Sequence, residues 1–207
     1  MVYFYTFTKK RFMKAINVFA GLSLVLAMAS CGGTEEKTEK VTFNLDAKAS
    51  TLGWKGRKSA EYFHTGIVKI TKGTIDMEGK EIVGGSFKLD MNTIECMDEM
   101  LPDDKKAMLN GHLKDTSFFF IAENPEITVT VADYKDGKLN VIINVLGLEI
   151  KQAIPVKVTA TEKDVRIKGD FGVDVSALKL AGMQPDPASG EKINSMIDFQ
   201  LDVLLKK

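Results

Sequence analysis

The stretch KLNVIINVLG, residues 138–147, shows the pattern on which the fold prediction rests. Its residues Leu139, Val141, Ile143 and Val145 fall at every second position, so an extended chain presents all four on one face. Such alternation is typical of a β-strand with one face on a core. The Gly147 that follows marks a turn, so the stretch predicts a strand that enters a tight connection.

The same period of two recurs along most of the chain. It appears in VTFNLDA, GIVKITKGTIDM, GGSFKLDMNTI, EITVTVADY, IPVKVTATE, DVRIKGDFGVDVSAL and SMIDFQLDVLL. Turn signals separate the runs at residues 78–80, 136–137, 146–147, 162–164 and 169–170. About eight antiparallel strands form a barrel or a sandwich, and a barrel is favoured because closure removes exposed strand edges. We therefore predict an all-β fold, an eight-stranded antiparallel barrel.

One segment departs from this period. Pro102 and Asp103 form a helix start signal, and apolar residues then follow at near-helical spacing. The pattern predicts one short inserted helix over 103–114, broken or loosened near Asn110-Gly111. This helix could cover one face of the barrel or plug one end.

Three consecutive aromatic residues, Phe118, Phe119 and Phe120, come next. In a strand they point to both faces, which requires a cover on the outside or a filled interior. An eight-stranded barrel is wide enough for side chains alone or for one small ligand. The residues alone leave these two interiors open.

The N-terminal segment carries a charge pattern of its own. The chain has 28 basic and 28 acidic residues, so no basic field for nucleic acid is present. The first thirty residues hold Lys9, Lys10, Arg11 and Lys14 without an acid, and the remainder has a net charge of −4. A basic cluster before the apolar run VFAGLSLVLAMA is typical of a secretion signal.

Small residues lead from this run directly to Cys31, in LAMASCGG, which resembles a bacterial lipobox. We predict a lipoprotein signal peptide over 1–30 that forms a helix, acylation of Cys31, a flexible tether over 31–40 and the barrel over 41–207. An uncleaved anchor helix is the alternative, and translation could start at Met13 instead of Met1. Acylated Cys31 cannot form a disulfide, so Cys96 is predicted to be a small buried hydrophobe.

Sequence motifs for catalysis or metal binding are missing. His64 and His112 lie far apart in the sequence and without zinc-ligand spacing, and neither a nucleophile elbow nor a P-loop occurs. No catalytic residue, metal or cofactor is predicted, and the chain is expected not to be an enzyme.

Several motifs resemble the YceI-like family of exported lipid-binding proteins. They are Trp54-Lys55-Gly56, the His64-x-Gly66 pair, GGSFKLDMNTIE, the His112-Leu113-Lys114 turn with its Phe-rich run, Asn124-Pro125 and NVLGLEIKQAIPVKV. They occur in order over residues 41–207. The loop around Gln184-Pro185-Asp186-Pro187 and the doubled Phe119-Phe120 depart from the family pattern.

The resemblance implies a lipocalin-like barrel whose long apolar cavity holds a polyisoprenoid chain, such as an isoprenoid quinone. Ligand-binding residues are then expected among the inward and mouth positions: Trp54, Phe63, His64, Phe87, Leu89, Met91, Leu109, His112, Phe119, Val141 and Ile143. The two histidines could bond a polar head group, but structural histidines that tie the helix to the barrel are favoured. Trp54 is favoured as a plug of the barrel.

Three functions are therefore weighed. The leading one is a cell-envelope lipoprotein that binds or carries a long apolar lipid. It is lipid-anchored to a bacterial membrane, more readily the outer one, with the barrel in the periplasm or at the surface and homodimerisation left open. The alternative is a structural or stress-protective lipoprotein with a packed barrel and an exposed apolar patch for a protein partner. The third is an enzyme that uses His64 or His112 as a general base, with a nucleophile or acid in hydrogen-bond reach.

Overall fold

The computed structural model describes residues 39–185, 187 and 190–207. These residues form ten strands and one α-helix, with short 3₁₀ turns at Ala47–Ala49, Ser176–Leu178 and Ala181–Met183. The strands and the helix are β1 Lys40–Leu45, β2 Thr51–Arg57, β3 Phe63–Glu78, β4 Glu81–Cys96, α1 Asp103–Lys114, β5 Glu126–Lys135, β6 Lys138–Val145, β7 Leu148–Pro155, β8 Lys157–Ala160, β9 Asp164–Asp174 and β10 Met196–Lys206.

All ten strands belong to one antiparallel sheet that closes on itself, which confirms the predicted lipocalin-like barrel. The strand count differs from the predicted eight because two strands are interrupted. β1 and β2 both pair with β3 and β10, and residues 46–50 break them apart. β7 and β8 are separated by Val156 alone. If β1 with β2, and β7 with β8, are each counted as one interrupted strand, the barrel consists of eight strands, which we call staves.

Tight turns join the hairpins where the sequence predicts them. Asp136-Gly137 and Leu146-Gly147 have positive φ at both residues, as two-residue hairpin loops require. The signal at Gly169-Asp170 was wrong, because β9 runs straight through it. A Cβ at Gly169 would collide with the carbonyl oxygen of Pro155, so this glycine marks a close approach of two strands.

The two ends of the barrel differ in their packing. We call the end that carries the turns at residues 79–80, 136–137 and 161–163 the closed end. Large aliphatic side chains from several staves meet there, and Ile75, Val165 and Leu205 have no exposed surface. The opposite end carries the 58–62 loop, α1 and residues 175–185 and 190–195, and we call it the open end.

Helix α1 spans residues 103–114 as predicted, but it continues unbroken through Asn110-Gly111. The side-chain oxygen of Asn110 accepts a hydrogen bond of 2.7 Å from the backbone N–H of Cys96, at the end of β4. Asn110 therefore attaches the helix to the barrel. Leu113 is the buried residue of the helix.

The Phe-rich run is not a strand. Residues 116–119 and 121–123 are turns, and Phe120 adopts a positive φ of 41°. Backbone hydrogen bonds from Phe120 N–H to Asp115 O and from Ile121 N–H to Lys114 O fold the run back against the helix end. The three rings therefore need not alternate between two faces, and the run lies beside the end of α1.

The predicted signal peptide, the acylation site Cys31 and the tether up to residue 38 lie outside the described residues. Strand β1 begins at Lys40, one residue before the predicted start of the barrel. Cys96 is buried and unpaired, as predicted. Within residues 39–185, 187 and 190–207, no helix is long and apolar enough to cross a bilayer.

We expect Asn110→Ala to lower the free energy of unfolding by about 1–3 kcal/mol, because a part-buried backbone N–H loses its acceptor. Chemical denaturation measures the loss. Lys105→Ala, at an exposed position of the same helix, is the control and should change stability by less than about 0.5 kcal/mol. Equal effects of the two substitutions would contradict the role assigned to Asn110.

Candidate functional site

A cavity of about 800 Å³ extends from the open end into the barrel. The side chains that fill the closed end, among them Ile75 and Leu205, do not line it. The cavity begins where inward side chains such as Ile70, Ile167 and Val203 form its floor. The interior is thus packed at one end and hollow at the other, which resolves the choice that the sequence left open.

All eleven residues expected to bind a ligand lie on the wall or mouth of this cavity. They are Trp54, Phe63, His64, Phe87, Leu89, Met91, Leu109, His112, Phe119, Val141 and Ile143. Their position is a structural finding, and their contact with a ligand stays a prediction.

Several residues of β7, β9 and β10 that line the cavity were not predicted from the sequence. Phe171 of β9 and Phe199 of β10 stack with ring centroids 5.8 Å apart and also line the cavity. Ile150 and Ile154 of β7 complete this side. The alternation of the sequence did carry a signal for these residues. Each of them lies an even number of positions away from another apolar residue of the same strand that faces the interior. Leu180 and Met183, which lie between β9 and β10, carried no such signal.

Trp54 is held in place by a glycine. Its indole N–H donates a 3.2 Å hydrogen bond to Ile67 O, so the ring is fixed against β3. Gly66 lies directly opposite Trp54 in the ladder, and a Cβ there would collide with the indole ring and with Glu95 O. The Trp54 and Gly66 motifs are therefore one packing unit, in which the half-buried Trp54 forms part of the wall below the mouth.

The mouth of the cavity carries the polar groups that the wall lacks. Arg57 forms an ion pair with Asp198, and Lys58 lies 3.6 Å from Glu191. Most of the side chains that line the cavity are apolar, so its interior offers a ligand mainly apolar contacts. The site therefore combines an apolar chamber with a charged entrance.

His64 and Asp98 join the first residues of β3 to the loop before α1. Nδ1 of His64 donates a 3.0 Å hydrogen bond to Oδ2 of Asp98, since an ionised carboxylate can only accept. This hydrogen bond, with a second from the backbone N–H of Met100, holds the pKa of Asp98 below its ordinary value of 3.8. His64 thus joins β3 to the loop before α1 at the edge of the mouth, and its contact with a ligand stays a prediction.

His112 lies differently from what was favoured. Its Nδ1 is 3.3 Å from Oδ2 of Asp115, within the end of its own helix, and its side chain is exposed. The pKa of Asp115 is lowered mainly by the backbone N–H of Ser117 and only secondarily by His112. His112 therefore does not tie the helix to the barrel, because its acceptor belongs to the helix end itself.

A cap crosses the mouth from two directions. The N–H of Gly182 donates a 2.7 Å hydrogen bond to Ser117 O, which joins the short 3₁₀ turn Ala181–Met183 to the end of α1. The ring of Phe118 fills the space that a side chain at residue 182 would need. We call Leu113, Phe118 and residues 180–183 the cap.

The two histidines have carboxylates as their hydrogen-bonding partners. Each imidazole has an aspartate as its hydrogen-bonding partner, without a hydroxyl or thiol as the nucleophile in the part of the chain described. Over the same residues, no group of three or more metal-ligating side chains occurs. The chemistry that the site supports is the burial of an apolar molecule.

Comparison with known proteins agrees with this geometry. The model of the YceI-like domain matches residues 43–204. A search of curated proteins finds no match. A polyisoprenoid-binding domain from Saccharophagus degradans, implicated in plant cell wall breakdown, is 15% identical with a TM-score of 0.58, over 79% of this chain and 97% of that one. BcnA of Burkholderia cenocepacia is 12% identical with a TM-score of 0.62, over 77% and 98%. At these identities the likeness shows a shared fold.

We expect Gly66→Ala to destabilise the protein by about 1–3 kcal/mol, because the new methyl group must displace the Trp54 ring or the β4 backbone. The fluorescence of Trp54, the one tryptophan, should shift as its surroundings change. Gly111→Ala is the matched control: no atom lies within 4 Å of the added Cβ, so it should stabilise α1 by up to about 1 kcal/mol. A change in the free energy of unfolding that has the same sign in both variants would contradict the packing assigned to Gly66.

We expect Asp98→Asn to lower stability at neutral pH, and the difference from the wild type to shrink as the pH falls below 3.8. A carboxyl whose pKa is lower in the folded state stabilises the fold above its unfolded pKa and loses that contribution on protonation. Denaturation midpoints measured from pH 7 down to acid give the difference. A difference that does not vary with pH would contradict the stabilising role assigned to the Asp98 carboxylate and the hydrogen bonds that it accepts.

Proposed function

Because the chain belongs to the YceI-like domain family, we propose that its barrel binds or carries a long apolar lipid, such as a polyisoprenoid or an isoprenoid quinone. The observation that carries this proposal is the apolar cavity of about 800 Å³ beneath a polar mouth. The polyisoprenoid-binding domain from Saccharophagus degradans shares the fold and supports the choice of ligand class.

The physics of the cavity suits such a ligand. Burial of apolar surface contributes about 25 cal/mol per Å², so a hydrocarbon chain can bind without hydrogen bonds. Ligand pockets of this kind span roughly 300–1,000 Å³, with a few polar groups that fix orientation. Here these groups lie at the mouth, so the ligand's polar head would remain near Arg57 and Lys58 while its chain extends inward.

We also propose that the protein is an envelope lipoprotein. The support is the order of basic cluster, apolar run and Cys31. Several acyl chains on one cysteine give durable anchoring, whereas a single chain binds only marginally. An anchored barrel would lie beside the membrane that supplies its lipid, with the outer membrane as the favoured site.

The other two hypotheses receive less support. A structural lipoprotein with a packed barrel does not account for the hollow half of the interior. That hypothesis also expects an exposed apolar patch for a protein partner. Most of the large exposed apolar side chains of the barrel, such as Met97, Met100 and Met108, lie near the open end, where they equally suit contact with a membrane that supplies lipid. An enzyme built on His64 has Asp98 within reach but lacks a bonded nucleophile among the described residues.

We expect Ile143→Trp to reduce the lipid recovered from the purified protein by at least about tenfold, because the larger ring occupies the cavity. Solvent extraction followed by mass spectrometry measures the bound lipid. Ile142→Trp is the matched control: it is the same change at the next residue of β6, which points away from the cavity. Absence of extractable lipid from the wild-type protein and the control would overturn the proposed function.

We expect Cys31→Ser to move the protein from the membrane fraction to the soluble fraction, because the serine cannot be acylated. Fractionation of cells followed by immunodetection measures the distribution. Cys96→Ala removes the other cysteine and should leave the protein in the membrane fraction. Retention of Cys31→Ser in the membrane would contradict the lipoprotein proposal and leave the ligand proposal intact.

A further inference from the structure

One side of the barrel lacks a backbone ladder. β7 pairs with β6 alone, and β9 pairs with β10 along its length but with β8 only over residues 165–168. Between Leu148–Pro155 of β7 and residues 169–174 of β9, no ladder is formed. At about 3.3 Å per residue, this unpaired stretch is roughly 20 Å long. We call it the slot.

The slot begins where the chain changes partner. Pro155 ends β7, and the N–H of Val156 donates to Gly137 O at 3.0 Å. The chain then continues as β8, against the first residues of β9. Gly169 lets β9 pass close to Pro155 at this point, so the slot ends here, on the side of the closed end of the barrel. From there it extends to the open end, where Leu148 and Asp174 lie.

Gln152 joins the two edges of the slot. Its Nε2 donates a 3.1 Å hydrogen bond to Gly172 O, a carbonyl on the unpaired edge of β9. By the alternation of β7, Gln152 has the same parity as Ile150 and Ile154, which line the cavity. A polar side chain at an inward position thus replaces the missing ladder with one hydrogen bond between side chain and backbone.

The slot borders the cavity over its length. Ile150 and Ile154 line the cavity on one edge, and Phe171 and Val173 line it on the other. The mouth is crossed by the cap, where the N–H of Gly182 bonds to Ser117 O. A flexible hydrocarbon chain that enters through the mouth must thread end-on beneath the cap, whereas one that enters through the slot moves sideways into apolar surroundings.

We propose that the slot between β7 and β9 is the entrance through which the apolar chain of the ligand passes, and that Gln152 is the positioning residue that holds it closed. The inference rests on the proposed function, because it concerns the route to the same cavity. Opening the slot breaks one side-chain hydrogen bond and apolar contacts, whereas opening any other seam breaks a ladder of backbone bonds. The ligand would therefore load and leave from the side.

The test compares two cross-links that share one residue. Full-length protein with Cys31→Ser and Cys96→Ala is stripped of lipid, and Ala153→Cys with Asp170→Cys is joined across the slot by a short bis-maleimide. Asp170→Cys with Gln200→Cys is the matched control, because Asp170 and Gln200 are exposed and directly opposite in the existing β9–β10 ladder. Uptake of diphenylhexatriene, an apolar rod that fluoresces when shielded from water, is followed in time.

We expect the cross-link over the slot to slow uptake by about tenfold or more, as blocking a gating motion does, while the control cross-link changes the rate by less than about twofold. A protein loaded before cross-linking should release the probe more slowly in the same proportion. Equal rates in both cross-linked proteins, with the full fluorescence change, would overturn the slot and leave the lipid-binding function standing. Absence of a fluorescence change in the uncross-linked protein would overturn both.

A second variant tests Gln152 itself. Gln152→Leu cannot donate to Gly172 O, so uptake should be faster by about threefold or more with an unchanged final amplitude. Gln200→Leu, on the exposed face of β10, should leave the rate unchanged. An unchanged rate in Gln152→Leu would show that Gln152 has a structural role only and would overturn its assignment as the positioning residue.

Discussion

Closure of the sheet into eight staves is the constraint on which the other features depend. It fixes the width of the interior, so the size of each inward side chain decides whether that interior is filled or hollow. At the closed end, Ile75, Val165 and Leu205 meet and exclude solvent completely. Beyond Ile70 and Ile167 the same alternation continues, but the inward side chains no longer meet, and a cavity of about 800 Å³ results. The packed core and the cavity therefore both arise from the same alternation of inward and outward side chains.

Polar groups are also distributed unevenly between the interior of the barrel and its mouth. The described interior contains no buried charge, and the charged side chains that border the cavity, such as Arg57 and Lys58, lie at its mouth, where water can solvate them. His64 bonds to Asp98 and joins the barrel to the loop before α1, while Arg57 is paired with Asp198. This separation suits a ligand with an apolar chain and a polar head, and it leaves the chain itself without hydrogen-bond partners inside.

Glycines mark the places where the barrel departs from a regular cylinder. Gly66 makes room for the Trp54 ring, Gly169 lets β9 approach Pro155, and Gly182 receives the ring of Phe118. Each allows close contact between segments far apart in sequence. The first contributes to the wall, the second closes the lower end of the slot, and the third fastens the cap. The features that define access to the cavity thus depend on the absence of a side chain.

The sequence by itself determined the all-β class, the hairpin turns at 136–137 and 146–147, the extent of α1 and the inward positions of β4 and β6. These depend on periodicity and turn chemistry, which are local. It misjudged Gly169-Asp170 and the Phe118–120 run, because a glycine in a strand and a turn at a helix end resemble other local signals.

Only the tertiary structure decided that the interior is partly hollow, that Phe171 and Phe199 line the cavity together with Val141, and that β7 and β9 stay unpaired. These features depend on which residues meet across the barrel. Local alternation specifies the face that a side chain occupies, and closure alone specifies its neighbours.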